Sequence, residues 1–200
     1  NGNRRKADHP MRYLFAALVV ALGIALFALT FAMVNRTEPE AAYGVPFELV
    51  DQDGAPISEA AFRGQPTALF FGFTHCPEIC PTTLYELDGW LAELGEDGAD
   101  IDAYFVTIDP ERDTPEVLGD YVASVTDRVR GISGDPEAVR EMARGFGVYF
   151  KRVELDDGDY TMDHTASVFL LDSNGAFRKT IAWGESPDTA IEKLRDLAGT

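Results

Sequence analysis

Thr67 to Phe73 (TALFFGF) is apolar almost throughout, and it ends just ahead of both cysteines of the chain, Cys76 and Cys80. A short apolar run of this kind fits a central strand covered on both faces. That requirement narrows the possible folds, because a strand buried twice needs a layer on each side of its sheet. The strand delivers two thiols to the start of a helix, spaced Cys-x-x-x-Cys. Disulfide oxidoreductases space theirs Cys-x-x-Cys. The extra residue leaves two chemistries open, electron exchange with other thiols or the holding of a metal.

The flanking pattern supplies the layers. Phe47 to Val50 begins as an alternating strand, Asp53-Gly54 is a turn, and Pro56-Ile57 returns as a second short strand. Ser58 followed by Glu59 to Phe62 reads as a brief helical turn before Arg63-Gly64. After the cysteines, Leu84, Leu87, Leu91 and Leu94 keep the three-and-four spacing of an amphipathic helix, ended by Gly95 and Gly98. Ile101 to Ile108 reads as the next strand. Thr114-Pro115 and Asp135-Pro136 each open a helix with an N-cap and a proline in the first position, the second running to about Gly145. Val148 to Glu154, Ser167 to Asp172 and Ala176 to Trp183 read as strands, the last two joined by a hairpin turn. Ser186 caps a final helix through Leu197. Strands alternating with helices predict an α/β fold, a thioredoxin-like central sheet flanked by helices. In open sheets of this kind ligand chemistry sits beyond the carboxyl ends of strands. Cys76 and Asp109 each follow such an end.

Tyr13 to Val34 carries no charge over its whole length. A helix of about 20 residues crosses the hydrocarbon layer, whereas a signal-peptide core is usually only about 7–15 residues long. The expectation is a retained anchor at 13–34, after a short cytoplasmic amino terminus (1–12) and before a linker (35–44) and a domain (45–200). Basic residues precede the span, and only Arg36 follows closely, so the positive-inside rule exports the domain. With no transit-peptide pattern in the short amino terminus, the location expected is a bacterial cytoplasmic membrane with the domain in the periplasm. Residues after 34 hold 13 basic and 33 acidic side chains, which argues against a nucleic-acid partner.

Thiolates select copper(I), zinc or iron–sulfur clusters, and a helix amino terminus favours thiolate over thiol. A helix starting at Pro77 would set Cys76 and Cys80 on one face, and one starting at Pro81 would make Cys80 its N-cap. Two sulfurs are too few for a closed zinc site of four ligands. His9, His75 and His164 are the available histidines. His9 lies across the membrane, and His75 adjoins Cys76, where neighbouring side chains diverge. His164, in a polar segment ahead of the strand 167–172, is either a third ligand or a loop histidine with a local hydrogen bond. Two thiolates with one imidazole suit copper in either oxidation state.

Gly72-Phe-Thr-His-Cys-Pro-Glu-Ile-Cys-Pro-Thr-Thr-Leu84 resembles the signature of the Sco (SenC) family, as do Val106-Thr-Ile-Asp-Pro-Glu-Arg-Asp-Thr-Pro115 and Asp163-His164 ahead of an apolar strand. The motifs come in the family's order, and the likeness covers roughly residues 45–198. It implies a membrane-anchored copper chaperone for cytochrome c oxidase assembly. The copper ligands would be Cys76, Cys80 and His164, holding one Cu(I) or Cu(II) per chain, with Asp109 a nearby acidic residue able to influence the thiols. The implied partner is the copper-bearing oxidase subunit, with other copper carriers and thiol reductants as further candidates.

A thiol–disulfide reductase that keeps the oxidase copper-site cysteines reduced is the alternative, since Cys76 and Cys80 can act as attacking and resolving thiols. Thioredoxins place a cis-proline opposite their thiols, whereas Asp163-His164-Thr165 occupies that neighbourhood here. The Pro-x-x-x-Thr-x-x-Cys pattern of peroxiredoxins is missing. An inert Cys76–Cys80 disulfide would close too short a loop to stabilise much. Asp156 to Asp159 reads as an exposed turn rather than a calcium loop, and Met162 as a packed side chain rather than a soft ligand.

Overall fold

The structure, a computed structural model, describes residues 10–34, 43–156 and 158–199. Most of the linker, the first nine residues, Arg36 and Asp157 lie outside the described residues. The amino-terminal helix and the body that follows are separate compact units. Helix α1 (Pro10–Val34) contains Tyr13–Phe31, a stretch of mean hydropathy 2.7, long and apolar enough to cross a membrane.

The body begins with the hairpin of β1 (Glu48–Asp51) and β2 (Pro56–Ser58), followed by a 3-10 turn over Glu59–Phe62. Next come β3 (Thr67–Gly72), α2 (Ile79–Glu93), the short α3 (Glu96–Ala99) and β4 (Asp102–Thr107). They are followed by α4 (Pro115–Ala123), β5 (Val129–Ser133) and α5 (Pro136–Gly145). The chain closes with β6 (Phe150–Glu154), β7 (Tyr160–His164), β8 (Ser167–Leu171), β9 (Phe177–Ala182) and α6 (Pro187–Ala198). Seven strands form one mixed sheet in the order β2-β1-β5-β4-β3-β8-β9, the thioredoxin-like arrangement the pattern predicts. β6 and β7 pair only with each other.

β3 is buried at every residue, so both faces of the sheet are covered at its centre. It runs parallel to β4 and antiparallel to β8. The end of β3, the end of β4 and the start of β8 therefore meet at one edge of the sheet. The cysteine loop, the 108–114 loop and His164 are delivered there.

Several elements differ from the sequence reading. β5 was not expected, because its five residues, Val-Arg-Gly-Ile-Ser, mix a charge and a glycine into the run and hide its period. It is nonetheless an interior strand, parallel to β4 and antiparallel to β1. Tyr160 to His164 is a strand and not a polar loop. Its partner β6 stands apart from the main sheet, which explains why both alternate weakly and have no fully buried residue. Gly95, at φ 63°, does end α2, but α3 follows at once.

Candidate metal centre

Helix α2 starts at neither proline. Its first residue is Ile79, Cys80 is second and Pro81 third. All three lie in the first turn, where backbone N–H groups have no intrahelical acceptor, so a proline costs nothing there. Glu78, at the cap position, makes no side-chain capping bond. The Cys76 sulfur takes part of that role, accepting the Cys80 N–H at 3.4 Å. A thiolate at Cys76 thereby answers both an orphan donor and the positive end of the helix.

Both cysteines are buried free thiols. Their ionisation is split. Hydrogen bonding from the Cys80 side chain lowers Cys76 to about 4, against the opposing effect of burial and with help from His164 and the Cys80 and Glu78 backbone. The same bond, then burial, then the charge on Cys76 push Cys80 far upward. The free pair is thus one thiolate and one thiol sharing a proton. Gly72 makes room for it. A Cβ there would lie 2.5 Å from the Phe105 ring and 2.8 Å from the Cys80 sulfur, so the strand end has no space for a side chain.

His164 ends β7, and its Nε2 stands 3.8 Å from the Cys80 sulfur. Its Nδ1 lies 2.9 Å from the Thr165 carbonyl oxygen, which can only accept. Nδ1 therefore carries a proton, which in the neutral ring leaves the lone pair on the Nε2 that faces the sulfur. The ring is further held edge-on against Phe73, with centroids 5.8 Å apart. The local hydrogen bond expected of a loop histidine is present. The bond to Thr165 is what aims the ring.

Among the described residues no three or more His, Cys, Asp or Glu side chains stand close enough together to hold a metal ion as a group. Cys76, Cys80 and His164 instead converge in pairs. The donor set fits a soft ion. Bonds of about 2.3 Å to sulfur and 2.0–2.1 Å to nitrogen put the two donors about 3.6–3.8 Å apart for tetrahedral to trigonal angles, and the observed separation is 3.8 Å. A cavity of about 310 Å³ opens beside them, lined by Cys76, Pro77, Met162, Asp163 and His164 among others. His75 is exposed, its Nδ1 on the Thr74 hydroxyl, and takes no part.

Asp109 does not reach the thiols. Its carboxylate is bound to the Arg112 Nε and accepts the Tyr160 hydroxyl at 2.8 Å. The acidic residue beside the cysteine loop is Asp113, which is fully buried and whose charge raises Cys80 further. Sequence reasoning missed Asp113, although it lies in the motif that held Asp109. It also missed Tyr121, whose buried hydroxyl has no hydrogen-bond partner among the described residues. Burial first, then charge at Cys80 and Cys76, pushes that phenol upward.

Comparisons with known proteins point to one family. A family model described as SCO1/SenC matches residues 35–199. The chain is 38% identical over 158 residues to the mitochondrial SCO1 homolog 1 of Arabidopsis thaliana, covering 78% of this chain and 46% of that protein. It thus spans about half the length of that relative. The structure of Bradyrhizobium japonicum ScoI with copper bound is similar at a TM-score of 0.71 and 40% identity, over 78% of this chain and 99% of that one. BsSco, a member of the Sco family of cytochrome c oxidase assembly proteins in which a disulfide switch is identified, shares the fold at 24% identity and a TM-score of 0.62. That match covers 80% of this chain and 95% of the other.

Proposed function

The chain belongs to the SCO1/SenC family, and from that membership we propose that it is a copper carrier for cytochrome c oxidase assembly. One ion per chain is held by the Cys76 and Cys80 sulfurs and His164 Nε2. The observation that carries this reading is the His164 geometry, a lone pair aimed at the Cys80 sulfur from a ring fixed by Thr165. Copper is cargo here. Bound as Cu(I) or Cu(II), it leaves by ligand exchange to thiolates and imidazoles of the oxidase copper-bearing subunit, without change of oxidation state. Before loading, Cys80 gives up its proton, and the ion's charge replaces that proton between the sulfurs. Residues 13–34 anchor the protein, residues 1–12 stay in the cytoplasm, 35–44 link, and 45–200 work in the periplasm.

The split ionisation supports a second reading on the same residues. Cys76 thiolate would attack a disulfide of the target, forming a mixed disulfide and releasing one target thiolate. Cys80, after losing its proton, would then displace the second. Two electrons pass to the target, and a Cys76–Cys80 disulfide remains.

The test uses the reduced full chain in detergent, titrated with copper without oxygen and compared with His164→Ala. One copper per chain with a thiolate-to-copper(II) charge-transfer band, lost or shifted in the variant, is the expected result. A parent that retains no copper would sink the carrier reading and leave the reductase, which is then measured by reduction of a disulfide peptide.

A further inference from the structure

Five residues between β4 and α4, Asp109 to Asp113, supply no candidate ligand, yet their side chains grip both elements that do. Asp113 reaches toward the cysteines. Its Oδ1 accepts the Thr74 hydroxyl at 2.6 Å, and its Oδ2 accepts the Thr74 N–H at 3.0 Å and the Thr107 hydroxyl at 2.7 Å. Its own carbonyl accepts the Ser133 hydroxyl at 2.6 Å, which ties the loop to β5. Thr74 lies two residues before Cys76. The cysteine loop is therefore pinned to the sheet through one buried carboxylate.

Arg112 reaches the other way. Its Nη1 donates to the Tyr160 carbonyl at 3.0 Å, and its guanidinium carbon lies 3.6 Å from the centre of the Tyr160 ring. The Arg152 guanidinium carbon is 3.5 Å from the same centre. Two cations cannot share one face at that range, so the ring is sandwiched between them. Tyr160 opens β7 and His164 ends it. Among the described residues the β6–β7 hairpin forms no strand ladder with the main sheet, so it is held at its base by continuity with β8, along its length by Phe150 and Met162 packed against the core, and at its outer end by this stack.

We propose that the 109–113 loop is a two-armed strap setting the spacing between the thiolate and imidazole ligands, Asp113 fixing the cysteine loop and the Arg112–Tyr160–Arg152 stack fixing the histidine hairpin. This rests on the copper reading for its purpose but not for its geometry. Asp113, Arg112 and Tyr160 are positioning residues and touch no cargo. The arms act on different ligands, so breaking one leaves a signature the other does not.

The experiment compares Asp113→Asn and Tyr160→Leu in the full chain, with Tyr160→Phe as the conservative control. Asparagine places an N–H₂ where Oδ2 or Oδ1 now accepts, and phenylalanine keeps the ring between the guanidiniums. Amide hydrogen exchange on the metal-free protein is read first. Tyr160→Leu is expected to speed exchange over residues 150–164 by about tenfold or more while leaving 73–80 unchanged, and Asp113→Asn to do the reverse. With copper, both are expected to lose about 10–100-fold in affinity, the scale for groups that support a ligand. Only Tyr160→Leu should move the charge-transfer band toward that of His164→Ala, with Tyr160→Phe near the parent. Equal loosening of both regions by either variant, or parental exchange in both, would overturn the strap. Should Asp113→Asn fail to fold, Thr74→Val removes the hydroxyl arm alone and takes its place. A parent that binds no copper defeats the carrier reading, while the exchange data still decide the strap.

Discussion

The two sides of the candidate centre are built to different standards of rigidity. Cys76 and Cys80 follow a strand with no exposed residue, and the Cys80 sulfur is itself wholly enclosed. His164 comes from a hairpin whose strand residues are all at least partly exposed, and a lone two-stranded hairpin is marginal without outside support. Its support comes from side chains, chiefly around Tyr160. The thiols are therefore backed by the sheet, while the imidazole depends on a hairpin that side chains hold in place. On the proposed carrier reading such a division has a use, because an ion on two sulfurs would be exposed to an acceptor if the third donor swung aside.

Substitution at each side tests that contrast most directly. Cys80→Ser is expected to abolish copper retention after desalting, since a serine hydroxyl is not a thiolate and the buried site offers no substitute. His164→Ala is expected to keep copper on the sulfur pair but to weaken it by at least about tenfold. Competition with a chelator of known affinity measures both. Equal losses in the two variants would break the comparison, because the imidazole would then matter as much as a sulfur.

The pH response should also be one-sided. Free cysteine loses thiolate by about two orders of magnitude between pH 8 and pH 6. Cys76, lowered to about 4 by its bond from Cys80, should alkylate at nearly constant rate over that range in the metal-free protein. A lowered native pKa means the unfolded chain binds the extra proton. The contribution of Cys76 to stability is then complete above its unfolded pKa, near 9, and is lost as pH falls toward 4. Urea midpoints from pH 8 down to pH 5 should fall more steeply for the parent than for Cys76→Ser. A rate that tracks free cysteine would mean that the Cys80 bond is absent in solution.

The same contrast explains what the sequence disclosed. The cysteine side was legible because local rules and tertiary burial agree there. The apolar run 67–73 is the central strand, and the leucine spacing from Leu84 marks the helix. The exact start of α2 was not legible, since both prolines satisfy first-turn rules and the residue that caps the helix is a sulfur. The histidine side was hard to read because β7 owes its existence to β6 and to the Arg112 and Arg152 cations, none of which leaves a periodic trace. Asp113 was hidden for a related reason. Its importance lies in the backbone and hydroxyls it meets across 39 residues of chain, not in its neighbours in sequence.

A smaller change sharpens the cysteine side. Gly72→Ala forces a methyl against the Phe105 ring and the Cys80 sulfur. Overpacking of this kind destabilises by about 1–3 kcal/mol, measurable by urea unfolding. Part of the strain should appear as displacement of the sulfur, so copper affinity falls while hairpin exchange stays parental. Loss of stability with unchanged copper affinity would mean that Phe105 absorbs the whole shift.

The smallest effect is expected at Met162, which lines the cavity beside Cys76 and His164 and is a soft atom in reach of a soft site. Two facts argue that it packs rather than binds. Its side chain rests partly buried against the hydrophobic core, and its strand neighbour across the hairpin is Arg152, held in the Tyr160 stack. A methionine that fills space can be replaced by leucine for less than about 1.5 kcal/mol. Met162→Leu should therefore leave copper stoichiometry, affinity and the charge-transfer band as in the parent. A shifted band would make the thioether a fourth donor supplied by the hairpin. The hairpin side of the centre would then contribute two ligands, and the contrast with the thiols would have to be redrawn.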